Sequence, residues 1–312
     1  MASVAASESA FEIRPRRALH PTTVRVAGLG VVCAATMVAP ALLLLWMPIV
    51  LGVPHIASDI RFLLLPLPRR QVVLGIVACT ALVALKAAAI AGSIDLVRAE
   101  MIVVAGWLVG ALAMPDGATE RASSRGRRRL AVGLALIAAS VIIGLPIQFA
   151  VLATFVHNLI AVVAWVVVAR PGRRQLAAIG ATLAGGVLMV ALVGSPIARQ
   201  TGGDTTGGLA IDHAAAVMFG GLPAAAGRAL LLAFAFLQAV HYAIWLAWIP
   251  ASRSRGPTAT IASVAIGAAT LVVIGAALVD ATWARGTYLA LATFHIYLEI
   301  VVLAVRFARR RS

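Results

Sequence analysis

The sequence predicts an all-α fold: a polytopic membrane helical bundle of about ten transmembrane helices with both termini cytoplasmic. Three observations predict it. The 312-residue chain is 62% hydrophobic and 12% charged, with mean hydropathy +1.01, more apolar surface than a water-soluble fold can hide. Apolar runs of about 20 residues recur along it, the length a helix needs to cross a hydrocarbon core. Arginine tracts fall at alternate junctions between those runs, as in cytoplasmic loops. The same distribution excludes the nucleic-acid partner that a formal charge of +15 would suggest, because the arginines form short tracts and no single basic face.

Taken in order, residues 1–22 read as a basic cytoplasmic tail carrying Arg14-Pro15-Arg16-Arg17. No small-residue cleavage site clearly follows the first apolar run, so this tail is not expected to be a removed signal peptide. Residues 23–306 form one transmembrane domain, and residues 307–312 a second basic tail. The expected spans are 23–39, 41–66, 71–91, 99–115, 130–146, 148–169, 176–196, 224–249, 259–279 and 287–306. Pro40 separates the first two, although 26–66 also reads as one kinked segment. Arg69–Arg70, Arg121–Arg129, Arg170–Arg174, Arg253–Arg255 and Arg306–Arg311 mark the cytoplasmic junctions. Asp95/Arg98/Glu100, the turn near Pro146, the 197–223 loop and Asp280/Arg285 mark the external ones. The 197–223 loop reads as a flexible connector in preference to a lid. High alanine and arginine content fits a GC-rich bacterial genome, so the expected location is a bacterial inner membrane.

Polar residues within the spans have bland expectations first. Lys86 should snorkel to the outer face. Arg61 should reach the headgroups or pair with Asp59, while Gln148 and Arg228 lie near external ends. Trp46, Trp107, Trp165, Trp245, Trp248 and Trp283 should mostly anchor at interfaces, with Trp245 closest to the middle. Cys33 and Cys79 suggest neither a disulfide framework nor a thiolate metal site. His20 and His213 read as solvated.

The remaining four histidines carry the functional reading. His55, His157, His241 and His295 lie in four apolar segments, all on even-numbered spans running from the outer to the inner face. They precede Arg69, Arg170, Arg253 and Arg306 by 14, 13, 12 and 11 residues. At about 1.5 Å of rise per residue, each imidazole lies roughly 17–21 Å from its basic edge, near the bilayer midplane. Ionisable groups are costly there and tend to be functional. Neutral imidazole is the commonest metal ligand, and a nitrogen-rich set suits iron, copper or zinc. Four imidazoles at one level therefore predict a metal site. For each alone, an interhelical hydrogen bond is the alternative.

Two acids extend the pattern. In Gly52-Val53-Pro54-His55-Ile56-Ala57-Ser58-Asp59 and Phe294-His295-Ile296-Tyr297-Leu298-Glu299, each carboxylate follows a histidine by four residues. That offset puts the two on one helix face, where the acid orients the ring, raises its basicity or ligates directly. His157 and His241 have no such acid. Asn158 is a further polar candidate, and Tyr242, Trp245 and Tyr297 are expected to line a substrate pocket. Pro54 should break regular helix above His55 and free a backbone carbonyl. The chain has no phosphate loop, dinucleotide fingerprint, zinc-protease helix motif or serine elbow.

These motifs resemble the Brp/Blh family, bacterial and archaeal membrane enzymes that cleave β-carotene to retinal. That family carries Gly-aliphatic-Pro-His-Gly-x-x-Asp in an early span, a histidine motif mid-chain, His-x-x-x-His later, and Pro-His with a +4 acid in the last span. Gly52-Val53-Pro54-His55 with Asp59 matches the first. His157 corresponds to the second by position, with Ala161 near where an acid tends to stand. His241 matches the third, with Trp245 replacing its second histidine, and His295 with Glu299 matches the last. The resemblance implies a non-haem iron (Fe2+) centre, or another transition metal, held by His55, His157, His241 and His295. It implies O2 as co-substrate and a lipid-soluble polyene or carotenoid-like substrate entering from the bilayer. With Trp245 in a family histidine's place, His295 or an acid must complete the ligand set.

Two other functions use the same residues. A metal-ion or proton transporter would employ them as a relay; a broken second span favours it and the missing internal repeat opposes it. A haem-binding electron-transfer protein is limited by the single histidine depth to one bis-histidine haem.

Overall fold

A computed structural model describes residues 22–92, 96–114, 122–194, 196–197, 205–206, 209–219, 222–249 and 259–309. Arg14–Arg17, His20, Arg253–Arg255 and much of the 197–223 loop lie outside the described residues. In order, the helices are α1 (Thr22–Val38), α2 (Pro40–Asp59), α3 (Arg69–Gly92), α4 (Val97–Ala113), α5 (Ala122–Gly144), α6 (Pro146–Ala169), α7 (Arg173–Met189), α8 (Ile211–Met218), α9 (Ala224–Ala243), α10 (Ala259–Val279), α11 (Ala281–Ala292) and α12 (Phe294–Arg309). Short π-helical turns extend α2 (Ile60–Leu64), α7 (Val190–Gly194) and α9 (Ile244–Trp248). One antiparallel pairing joins Thr205–Thr206 to Leu209–Ala210. Among the described residues, six helical stretches are long and apolar enough to cross a membrane: Pro40–Leu64, Arg69–Gly92, Pro146–Val167, Arg173–Gly194, Ala224–Trp248 and Ala281–Ala308. They mark an integral membrane protein.

The helix boundaries follow from local chemistry. A residue before proline is pushed out of the helical region, and proline itself suits a first helical position. Ala39 (φ −139°, ψ 57°) therefore divides α1 from α2, and Leu145 (φ −129°, ψ 59°) divides α5 from α6. Arg170 ends α6 in the left-handed region (φ 47°), its N–H donating to the Val166 carbonyl, with Pro171 following. Asp280 caps α11, accepting from the Trp283 N–H at 2.9 Å. The last membrane segment thus begins near residue 281 and not near 287, and Arg285 lies within a helix and not in an external loop.

Helix α2 runs through Pro54 without the expected break. Pro48 and Pro54 each remove an N–H, but neighbouring helices can satisfy the freed groups. The Leu44 carbonyl, four residues before Pro48, accepts from Arg285 Nε at 2.7 Å. Departure from regular helix comes lower, just after Asp59, where the Leu65 N–H reaches back to the Ile60 carbonyl at 2.9 Å.

Helix α9 sits at the centre: 78% of its apolar stretch is buried, against 17% for α3 and α7. Around it α2, α6 and α11–α12 run parallel and in register. Ala41 and Leu44 of α2 pack near Leu231 and Phe234 of α9. Phe155 of α6 meets Phe234, with ring centroids 5.2 Å apart, and further along Trp165 meets Trp248 at 5.3 Å. Arg306 of α12 donates to the Phe62 carbonyl at 3.0 Å. Interhelical side-chain bonds in membranes contribute only about 0.6 kcal/mol each on average, although stranding a buried carbonyl by removing its donor costs more. Outward faces carry exposed apolar residues, such as Leu271, Val272 and Leu278 of α10, which suit lipid contact.

Several polar expectations change. Lys86 does not snorkel; its Nζ lies 2.6 Å from Glu100 Oε2, and Glu100 is buried in α4 and not in an external loop. Arg61 is exposed, with its guanidinium over Phe62 and not beside Asp59. Trp107, Trp165, Trp245 and Trp248 are buried core residues and not interfacial anchors. Arg228 is buried and paired with Asp212. That pair, with Ile211 and Ala215 packed into the α2–α9 cluster, makes residues 211–218 a docked helix and not a flexible connector. His213 is exposed, as expected.

Candidate metal centre

The in-register helices bring three histidines and two carboxylates together in the middle of the bundle. His55, Asp59, His241 and Glu299 are at most 1% exposed, and His295 is 8% exposed. Ligand atoms of His55, His241 and His295 lie within 4.8 Å of one another, and so do those of His55, Asp59 and Glu299. This buried group could hold a metal ion.

The spacings test that fit. A first-row metal with ligand distances of about 2.1 Å has octahedral neighbours roughly 3.0 Å apart and opposite ligands roughly 4.2 Å apart. His55 Nε2 lies 2.9 Å from His241 Nε2 and 3.3 Å from Asp59 Oδ2. Glu299 Oε1 lies 3.6 Å from His241 Nε2 and 4.0 Å from His55 Nε2. The 2.9 and 3.3 Å separations are near the adjacent-ligand spacing, while 3.6 and 4.0 Å lie between the adjacent and opposite ones, so the four atoms are close enough to share an ion without defining its geometry. The alternative is an N–H···N bond between two neutral imidazoles, which would leave the carboxylates unserved. Both oxygens of Asp59 and both of Glu299 are buried without a hydrogen-bond partner, an arrangement that costs free energy unless a cation meets them.

Two rings are oriented by their own helices. His157 Nδ1 donates to the Thr154 carbonyl at 2.6 Å, and His295 Nδ1 donates to that of Ala292 at 2.5 Å. Each bond puts the proton on Nδ1 and leaves the Nε2 lone pair for a ligand. The Ala292 carbonyl is available because helix gives way to a turn at Thr293. Glu299 therefore does not serve the histidine of its own motif; it faces His55 and His241 across the helix interfaces. His157 lies at the rim, with ring centroid 4.9 Å from that of His241 and 5.5 Å from that of His295.

Other candidates divide. Tyr242 packs edge-on to His55 at 5.3 Å, and Trp245 is tilted against it at 6.0 Å. Trp245 is fully buried beside Glu299, although its indole nitrogen closes no hydrogen bond of ordinary geometry. Tyr297 does not line the site. It is two residues from His295, on the other face of the helix, where it stacks on Phe149 at 6.4 Å. Asn158 sends its amide back to the Thr154 carbonyl at 3.5 Å and is not among the grouped donors.

Sequence reasoning missed Tyr288. Its ring lies against Gly52, where a Cβ would overlap the hydroxyl. This contact explains the glycine three residues before His55. The signal was present: Arg285, Tyr288, His295 and Glu299 follow a helical 3-4 spacing facing Leu44, Gly52, His55 and Asp59. Comparison with known proteins found no matching family model, curated protein or solved structure.

Proposed function

We propose that the protein is a membrane-embedded, metal-dependent oxygenase, with iron as the metal and a lipid-soluble polyene or carotenoid-like molecule as substrate. Its helical segments would make ten crossings of a bacterial inner membrane, with both termini cytoplasmic. One observation carries the metal reading: the ligand atoms of His55, His241 and His295, and those of His55, Asp59 and Glu299, form two buried sets that share His55, each within 4.8 Å, and both carboxylates lack hydrogen-bond partners. The Brp/Blh-like order of the motifs supplies the reaction class.

Bound iron would supply the redox chemistry that lets O2 react with a closed-shell polyene. The chain does the rest. Thr154 and Ala292 hold the His157 and His295 rings by Nδ1, which leaves each Nε2 lone pair able to accept a metal. Asp59 and Glu299 offer two negative charges to offset a divalent ion where water cannot. Trp245 and Tyr242 close the site with aromatic surface that excludes water. Trp245 stands where the family has a histidine, and Glu299 is the acid in position to replace that ligand. A transporter would use the same groups, but their near-complete burial weighs against it.

The test is elemental analysis of anaerobically purified wild type, His55→Ala and His295→Ala, followed by O2-dependent polyene turnover. A stoichiometric transition metal lost in both variants is expected. No metal in the wild type would overturn the reading.

A further inference from the structure

A second unsatisfied site lies at the basic end of the bundle. Arg25, on the first turn of α1, is 3% exposed, and its Nε and Nη2 have no hydrogen-bond partner. Its guanidinium carbon lies 5.4 Å from the Trp165 ring centroid and 5.5 Å from that of Trp248. The Trp165 indole N–H is also buried without a partner.

The two indole faces offset part of the cost of burying a cation, but they leave the in-plane N–H groups unmet. Arginine does not escape by losing its proton. Buried, charged donors of this kind call for an anion. The described carboxylates are engaged elsewhere: Asp59 and Glu299 face histidines, Glu100 faces Lys86, Asp212 faces Arg228, and Asp280 caps α11. Arg25 lies where α1 begins and α6 and α9 end, the end that also carries exposed Arg170, Arg173 and Arg174. Its helix neighbours Val24, Ala27 and Gly28 are exposed.

We propose that Arg25, Trp165 and Trp248 bind the phosphate headgroup of an anionic phospholipid at this face. The guanidinium fork matches a phosphate oxyanion. The two buried indoles flank the guanidinium, and the Trp165 N–H adds an unpartnered donor for an anion. Basic pockets between transmembrane helices are known to hold anionic headgroups. The site is separate from the metal centre, and its test needs no metal.

The experiment titrates full-length wild type, Arg25→Gln and Arg25→Lys in neutral detergent while following tryptophan fluorescence. The probes are dioctanoyl phosphatidylglycerol, dioctanoyl phosphatidylcholine and inorganic phosphate. Wild type should respond saturably to phosphatidylglycerol, with phosphatidylcholine roughly tenfold weaker, Arg25→Lys weakened and Arg25→Gln silent. A response to inorganic phosphate without one to lipid would overturn the lipid assignment. No response in wild type, or an unchanged one in Arg25→Gln, would overturn the site itself. If Arg25→Gln does not fold, the Arg25→Lys affinity decides: equal affinity overturns the proposal, and roughly tenfold weakening supports it.

Discussion

Arg285 donates its Nε–H to the carbonyl oxygen of Leu44 at 2.7 Å, replacing the backbone donor that Pro48 removed. The two residues form one unit across two helices. Arg285→Met should lower stability by about 1–3 kcal/mol, the cost of stranding a buried acceptor. Restoring an N–H with Pro48→Ala should then recover part of that loss. The measurement is a double-mutant cycle of unfolding midpoints in detergent. Strictly additive effects would show that the two residues do not share the carbonyl.

Gly52→Ala should destabilise by about 1–3 kcal/mol, because the new methyl overlaps Tyr288. Tyr288→Ala should make the Gly52→Ala change nearly silent by removing the obstacle. Thermal midpoints of the four proteins check this, and an equal penalty in both backgrounds would locate the cost elsewhere.

Metal removal should lower the thermal midpoint of the wild-type protein, since ion binding to the folded state adds to stability. The difference between metal-loaded and chelated samples should shrink in Asp59→Asn and in Glu299→Gln, with affinity falling roughly 10–100-fold. His157→Ala should have a smaller effect, as its ring sits at the rim. Equal metal affinity in all these variants would remove the carboxylates from the site.

Trp245→His should introduce an imidazole one turn from His241 and close to Glu299. The expected result is a changed ligand-field spectrum of the cobalt-substituted protein. The change also removes a large, fully buried side chain, so a drop in stability of about 3–5 kcal/mol is expected beside it. An unaltered cobalt spectrum in folded protein would place position 245 outside ligand reach.

The helical segments and the level of the histidines were legible because apolar run length and basic edges are local properties of the chain. The His55–Asp59 contact was legible for the same reason, being one turn of one helix. Glu299 was read with His295 and in fact serves His55 and His241, because facing is decided by neighbouring helices. Lys86, Glu100 and Arg228 were misread as surface groups, since only tertiary packing supplies a buried charge with its partner. The core tryptophans were misread likewise: an indole looks the same in sequence whether it faces lipid or Arg25.

Arg285 holds the Leu44 carbonyl near one end of α2, and Arg306 holds the Phe62 carbonyl near the other. The histidines and carboxylates lie between these two fastenings. A helix tied at one point can pivot, whereas one tied at both can neither pivot nor slide by a turn without releasing both ties. Helix α2 is thus tied to α11 at one end and to α12 at the other. His55 and Asp59 on α2 are thereby held against His295 and Glu299 on α12, while His241, on α9, is the donor that neither tie restrains.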